Sequence, residues 1–294
     1  MFKLFSKHEC TGALVASTLD LPMGSKLSKR PTPARLEKVV PVVPNIPPEI
    51  LEEILDHLVA RSGLKHLRSC SLVSKLWVPP CQRRLFYTIT FTPKDVEGWF
   101  KTFPGPEKSP AHYVKDLCLL RGYYGAPEAF SEHILWFTRV ERVTLLGPGW
   151  FRPLWSPSFV RLPQSTTSLT VKTDKIPLVQ IRNVMVQLPN LNDLSLSGTS
   201  VWVDNNTPPG MGKTLRGRFS GKLRLEGHAG TDLMNMLLEV PTGLRFTEVE
   251  IRSTHECLLS TVRLAEACSR TLVKLSYAVS IYGKFHPFSW SSWF

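Results

Sequence analysis

The stretch Val140-Glu-Arg-Val-Thr-Leu145 carries apolar residues at its first, fourth and sixth positions. The apolar-x-apolar core formed by Val143 and Leu145 predicts a short β-strand that buries one face. A single strand of this kind decides little about a fold. The chain nevertheless contains the pattern many times at almost constant spacing, and this repetition favours a repeat architecture.

Seven segments share this core, most of them with the third apolar residue three positions earlier: 114–119, 140–145, 166–171, 191–196, 220–225, 246–251 and 272–277. The steps between their central apolar residues are 26, 26, 25, 29, 26 and 26. Four intervening stretches have apolar residues at helical spacing: 128–137, 181–188, 232–240 and 257–268. The sequence therefore predicts an α/β array in which each unit of about 26 residues contains one parallel strand and, in most units, one helix.

This array resembles a leucine-rich-repeat solenoid, in which strands line the concave face and helices the convex face. The resemblance is loose, because the usual pattern has Asn or Cys five residues after the central Leu. Those seven positions hold other residues here: Gly122, Pro148, Asp174, Thr199, His228, Thr254 and Ser280. The alternative is an irregular α/β domain whose strands are evenly spaced by coincidence.

Upstream of the array, Ile46-Pro-Pro-Glu-Ile-Leu-Glu-Glu-Ile-Leu-Asp-His-Leu58 has the apolar spacing of an amphipathic helix. A second helix is predicted over 64–77 and is expected to end at Pro79-Pro80, since proline interrupts a helix. A short third helix is predicted over 83–86. Three short helices make a small module that needs a partner or the next domain to cover its apolar surface.

Three separated blocks of this module resemble the F-box motif: Ile46-Pro-x-Glu-Ile-Leu-x-x-Ile54, then Cys70-Ser-Leu-Val-Ser-Lys-Leu-Trp77, then Leu85-Phe86. The run from Cys70 is especially similar to F-box proteins of higher fungi. Two departures from the usual motif are Ile46 for Leu and Ser74 for Cys. The resemblance covers about 45 residues of the chain and implies docking on the Skp adaptor of an SCF-type, cullin-RING ubiquitin ligase. It assigns eight residues to the docking face and its supporting core: Ile46, Pro47, Ile50, Leu51, Ile54, Leu58, Val73 and Trp77.

Two further segments are candidates for binding a target protein. One is the aromatic stretch with Trp150, Phe151 and Trp155, since exposed aromatic residues often anchor partners. The other is a basic run of five cations within twelve residues, which includes Lys213, Arg216 and Arg218. The alternatives are that the aromatic residues cover one side of a repeat without a helix, and that the cations only solvate a loop.

The chain is basic, with a formal charge of +12, but only the run at 213–224 is dense, so nucleic acid is not favoured as a partner. No catalytic signature, metal-ligand pattern or cofactor motif is present in the sequence. No apolar stretch is long enough for a transmembrane helix, and no secretory signal precedes the module. We therefore predict a non-enzymatic protein of the cytoplasm or nucleus, without metal, cofactor or membrane partner.

Together these patterns predict an α/β chain in four parts: a disordered, proline-containing lead-in at 1–43, a three-helix F-box at 44–92, an irregular leucine-rich-repeat-like domain at 93–281, and an aromatic tail or cap at 282–294. The predicted function is recognition of an unknown target protein for an SCF-type ubiquitin ligase. The alternatives are a scaffold that does not lead to degradation and, less favoured, a basic protein that binds nucleic acid.

Overall fold

A computed structural model describes residues 46–120, 134–147, 163–173, 175–197, 200–203, 210–215, 219–227, 231–253, 257–281 and 284–290. The chain divides into two compact units, with the boundary between Leu85 and Phe86. The first is referred to below as the helical unit and the second as the sheet unit. Strand Thr88–Phe91, which the predicted boundary at residue 92 groups with the helices, belongs to the sheet unit.

Over residues 46–85, the helical unit contains three α-helices: α1 (Pro48–Ser62), α2 (Leu67–Ser71) and α3 (Val78–Leu85). The 3-10 turns Gly63–His66 and Lys75–Trp77 lie between them. Helix α1 begins with Pro48. Proline is tolerated at this position because the first amide groups of a helix have no hydrogen-bond partner within the helix. Gly63 caps the carboxyl end of α1, and the φ of 65° at this residue lies in the region that glycine adopts without strain.

Two sequence predictions for this unit are wrong. The second helix does not run from 64 to 77, because the chain leaves helical conformation after Ser71 and re-enters a 3-10 turn at Lys75. Pro79 and Pro80 do not end a helix but lie in the first turn of α3. The physical reason is that proline is tolerated at the start of a helix as well as beyond its end, so its position alone does not distinguish the two.

The sheet unit is built on a nine-stranded sheet. Its strands are β1 (Thr88–Phe91), β2 (Asp116–Leu120), β3 (Arg142–Leu146), β4 (Ser168–Lys172), β6 (Asp193–Ser197), β8 (Lys222–Glu226), β9 (Glu248–Ser253), β10 (Lys274–Ile281) and β11 (Lys284–Trp290), and they lie side by side in this order. All neighbouring pairs are parallel except β10 and β11. A separate two-stranded sheet pairs β5 (Lys175–Pro177) with β7 (Ser200–Trp202).

The predicted parallel strands are confirmed, and their register follows the repeat. The central apolar residues of the seven segments stand opposite one another across the sheet: Leu117, Val143, Leu169, Leu194, Leu223, Val249 and Leu275. Six of them are buried, and Leu275 is half-buried. A constant register keeps the same face of every strand in the core, since a slip of one residue would turn it outward.

The first strand of this array is not among the seven predicted ones. Ile89 pairs with Leu117, and the segment Phe86-x-x-Ile89-x-Phe91 has the same apolar spacing as the other seven. The signal is therefore present in the sequence, but the predicted module boundary at residue 92 places these residues with the helices. At the other end, part of the predicted tail or cap forms β11, which lies antiparallel along the edge of β10.

Four helices contribute to the core on one side of the sheet: α4 (Pro93–Thr102), α5 (Leu178–Gln187), α6 (Thr231–Leu238) and α7 (Leu258–Ala267). The last three agree with predicted helical stretches. Within the predicted helix at 128–137, residues 134–136 form only a 3-10 turn and 128–133 lie outside the described residues. Helix α4 is not predicted, although Thr92 and Asp95 form a capping box at its start.

Hydroxyl side chains connect successive strands where each strand begins. Thr167 donates to the Glu141 carbonyl at 3.3 Å, and Thr247 donates to the Gly221 carbonyl at 3.2 Å. Thr271 makes the same kind of bond to the Phe246 carbonyl. These bonds satisfy carbonyl groups between units, so short hydroxyl residues link neighbouring repeats at this edge.

Candidate functional site

Among the described residues of the helical unit, five large apolar side chains are exposed to solvent. On α1, Ile50 and Ile54 are 47% and 42% exposed. They are four residues apart and therefore lie on the same side of the helix. In the segment between α2 and α3, Leu72, Val73 and Leu76 are 86%, 67% and 48% exposed. Apolar side chains concentrated on so small a unit indicate a surface that binds another protein.

The structure separates the eight residues that sequence reasoning selected into surface and core. Four are exposed: Pro47, Ile50, Ile54 and Val73. Three are half-buried: Ile46, Leu58 and Trp77. Leu51 is only 3% exposed and belongs to the interior of the unit.

Leu72 and Leu76 are exposed residues that sequence reasoning did not select. They flank Val73 and lie where the predicted second helix is interrupted. Their apolar character is evident from the sequence, but their exposure is not, because it depends on how the chain turns between the end of α2 and the 3-10 turn that begins at Lys75. The structure thus adds them to the candidate site.

The interior of the helical unit supports this surface. Its buried apolar side chains include Leu51 and Leu55 from α1, Leu67 from α2, and Cys81 and Leu85 from α3. Burial raises the pKa of the Cys81 thiol, and the nearby Cys70 raises it further. The thiol is therefore kept neutral and acts as a small apolar residue.

Arg84 holds α3 against α1 through several polar contacts. Its guanidinium donates to Asp56 Oδ1 at 2.9 Å and 2.6 Å, and to the Glu52 carbonyl at 3.0 Å. It also lies 2.6 Å from Glu52 Oε2. Burial lowers the pKa of Arg84, but hydrogen bonds to the two carboxylates outweigh this effect and raise it above its usual value. The helix that presents Ile50 and Ile54 is thus fixed by polar contacts as well as by its apolar face.

The arrangement suits recognition by apolar contact. No group of three or more His, Cys, Asp or Glu side chains within the described ranges is placed to hold a metal ion. In the part of the chain that the structure describes, no helix is long and apolar enough to cross a membrane. An exposed apolar surface on a fixed helical frame can bind a complementary apolar groove or helix.

The predicted target-binding residues lie in the sheet unit, and most fall outside the described residues: Trp150, Phe151, Trp155, Arg216 and Arg218. Lys213 is described and is exposed in the 3-10 turn Met211–Thr214. Two other cations of the basic run lie on β8, and Glu248 and Glu250 compensate their charge.

The distances of these two ion pairs are 3.0 Å between Lys222 Nζ and Glu248 Oε1, and 3.6 Å between Arg224 Nε and Glu250 Oε2. The basic run is therefore less able to attract phosphates than its sequence suggests, because two of its five charges already have acidic partners.

Comparison with known proteins gives one informative result. No curated protein matched this chain. The model of the F-box domain matches residues 43–77, a range that includes α1, α2 and every exposed apolar residue named above for the helical unit. This match supports the assignment of the chain as an F-box protein.

Proposed function

We propose that the chain is the substrate-recognition subunit of an SCF-type E3 ubiquitin ligase. The observation that carries this proposal is the F-box match at residues 43–77, where apolar side chains are exposed. F-box domains bind Skp adaptors in SCF complexes, and F-box proteins are generally adaptors that perform no catalysis. The helical unit would therefore attach the chain to the Skp adaptor and, through it, to the cullin-RING ligase.

The proposed contact surface consists of six exposed residues: Pro47, Ile50, Ile54, Leu72, Val73 and Leu76. Removing these side chains from water on binding supplies the favourable free energy, at about 25 cal/mol for each Å² of apolar surface. Leu51 and the half-buried Trp77 would support this surface from beneath. The Arg84 contacts would keep α1 in the orientation that presents Ile50 and Ile54.

For the sheet unit we propose a leucine-rich-repeat-like solenoid that binds the target protein. Eight parallel strands at steps close to 26 residues, with helices on one side, support this assignment. Holding a target on this unit would raise the concentration of its lysine side chains near the ubiquitin-conjugating enzyme. The chain itself would carry out no covalent step.

The fungal type and a location in the cytoplasm or nucleus belong to the same proposal. The F-box-like run from Cys70 is similar to proteins of higher fungi.

The test is co-purification of the full chain with a Skp adaptor. The wild-type chain is expected to bind, while Leu72→Asp and Ile50→Asp should each weaken binding by tenfold or more, as expected for an apolar contact that becomes a buried, unpaired charge. Leu259→Asp is the matched control, because Leu259 is 78% exposed but lies on α7 of the sheet unit. A wild-type chain that fails to bind, or two variants that bind as well as the control, would refute the proposal.

A separate measurement distinguishes a degradation receptor from a scaffold. Proteins that co-purify with the chain are compared before and after proteasome inhibition. A bound protein that accumulates only on inhibition supports degradation, whereas stable levels of every bound protein support a scaffold.

A further inference from the structure

One face of the nine-stranded sheet is not covered by the described helices. On β3, Val143 and Leu145 are buried in the core that α5, α6 and α7 share, while Thr144 and Leu146 alternate with them on the opposite side. We call this opposite side the outer face. It consists of the residues that alternate with the core residues along each parallel strand; most of them are exposed or half-buried, whereas Cys118 on β2 is 7% exposed.

The outer face of β8 and β9 has its charges compensated within the sheet. Lys222 pairs with Glu248, and Arg224 pairs with Glu250. Arg252 lies 2.8 Å from Glu250 as well. Because opposite charges stand in register across these two strands, a charged partner would have to displace an existing ion pair.

The outer face of β2, β3 and β4 also contains an ion pair, between Arg142 and Asp116, but the row at the carboxyl ends of these strands is different. Leu120, Leu146 and Lys172 stand in one row, since Leu120 pairs with Leu146 and Leu146 with Lys172 in the strand register. Both leucines are half-buried although they lie on the outer face, and Lys172 is exposed. Among the residues described, no carboxylate forms an ion pair with Lys172.

We infer that Leu120, Leu146 and Lys172 bind an extended segment of the target protein, in which an aliphatic residue is followed two positions later by an acidic residue. This inference rests on the proposed function, in which the sheet unit holds the target. Burial of the aliphatic residue between the two leucines supplies apolar contact, and the acidic residue matches the charge of Lys172, which has no acidic partner within the described ranges.

The spacing of the row fits such a segment. Neighbouring strands lie about 4.8 Å apart, so Lys172 is about 7 Å from the midpoint between Leu120 and Leu146. In an extended chain, two residues on the same side are also about 7 Å apart, at about 3.4 Å for each residue. A peptide that crosses the strands would therefore place its first side chain between the leucines and its third beside the lysine.

A nucleic acid fits this part of the outer face poorly. A phosphate backbone is bound through several cations, and the row offers only Lys172. On the same face, Arg142 already has an acidic partner, because its Nη2 lies 2.8 Å from Asp116 Oδ2. The observations therefore favour a protein segment.

The experiment uses the full chain bound to the Skp adaptor and a displayed library of random ten-residue peptides. The wild-type complex should enrich peptides with an aliphatic residue and an acidic residue two positions apart. Lys172→Glu should reverse the preference from acidic to basic at the second position. Lys274→Glu is the matched control. Lys274 is also exposed on the outer face, but it is the first residue of β10, which is the last of the parallel strands.

A peptide enriched by the wild-type complex is then synthesised, and its Kd is measured. Leu146→Ser and Lys172→Glu should each raise the Kd about tenfold, and Lys274→Glu should leave it within about twofold. Failure to enrich any peptide, the same preference in Lys172→Glu, or binding of single-stranded DNA in place of peptide would overturn the inference. Since Lys172 is exposed, its substitution tests binding even if Leu146→Ser proves unstable.

The design keeps the two proposals separate. If the wild-type chain fails to bind the Skp adaptor, the proposed function is refuted. If it binds the adaptor and no peptide preference depends on Lys172, only the peptide site is refuted.

Discussion

The segment between α2 and α3 of the helical unit and the repeated strand positions of the sheet unit differ in how far their apolar side chains are exposed. In the helical unit, Leu72 and Val73 are 86% and 67% exposed although the unit is small. In the sheet unit, the repeated residues Leu117 and Leu194 are each 1% exposed. Apolar residues can thus serve either binding or folding, and only their exposure distinguishes the two roles.

The largest expected effect tests this difference within a single helix. Leu55 is fully buried and Ile54, its neighbour on α1, is 42% exposed. Leu55→Ala should lower the free energy of unfolding of the helical unit by about 2–5 kcal/mol, because it leaves a cavity. Ile54→Ala should change it by about 0.5 kcal/mol or less and should weaken adaptor binding instead.

Hydrogen exchange of the α1 amides, measured by mass spectrometry, reports the first quantity, and adaptor co-purification reports the second. Equal losses of stability in the two variants would contradict the division of α1 into a buried and an exposed side.

A second prediction concerns close packing in the sheet unit. A Cβ atom added at Gly212 would lie 1.9 Å from the Met236 carbonyl oxygen and 2.6 Å from Glu239 Cβ. Gly212→Ala should therefore lower the free energy of unfolding by about 1–3 kcal/mol, as overpacking does. Gly98→Ala in α4 is the control, since an added Cβ there meets nothing within 4 Å and should stabilise the helix by about 0.5–1 kcal/mol.

Urea unfolding followed by circular dichroism measures both changes. A Gly212→Ala variant as stable as the wild type would show that the turn at Met211–Thr214 can move away from α6 without cost.

The third prediction concerns polar contacts in the helical unit. Arg84 is 14% exposed and contacts Asp56 and Glu52 through several atoms, whereas Arg83 is 60% exposed and reaches Glu52 at 3.3 Å. Arg84→Lys should lower the stability of α1 by about 1–2 kcal/mol, because lysine lacks the forked donors. Arg83→Lys should leave it nearly unchanged.

The same hydrogen-exchange measurement on α1 separates the two arginines. If both lysine variants protect the α1 amides as well as the wild type does, the Arg84 contacts do not hold α1 against α3.

The smallest expected effect concerns the ion pairs of the outer face. A double-mutant cycle with Arg224→Ala and Glu250→Ala should give a coupling free energy of about 0.2–1 kcal/mol, since both side chains are partly exposed. Thermal unfolding at low and high salt measures this coupling, which should decrease as salt increases. If the coupling free energy is zero at low salt, this ion pair does not prevent charged partners from binding to β8 and β9.

Much of the fold was predictable because the repeated pattern is periodic. The spacing of Val143 and Leu145, repeated at steps close to 26 residues, indicates parallel strands, and the register confirms them. The first strand was not predicted although Ile89 and Phe91 carry the same pattern. Periodicity identifies a strand, but it does not say to which unit a strand at a boundary belongs.

The candidate site was less predictable. The motif selects Leu51 together with Ile50, and only burial in the structure places Leu51 in the core. Leu72 and Leu76 were not selected, because their exposure follows from the break between α2 and the 3-10 turn at Lys75–Trp77. The segment Leu72–Ser74 contains no glycine or proline that would have indicated this break in the sequence.

The F-box-like module, the strand repeat and the overall positive charge could be read from the sequence, since each is a property of residue type and spacing along the chain. The fold was needed to show which apolar residues face solvent and which charges are compensated. Exposure and ion pairing depend on residues distant in the chain, as Lys222 with Glu248 and Arg84 with Asp56 show. Local pattern therefore predicted the elements, whereas contacts between elements defined the surfaces that they offer to partners.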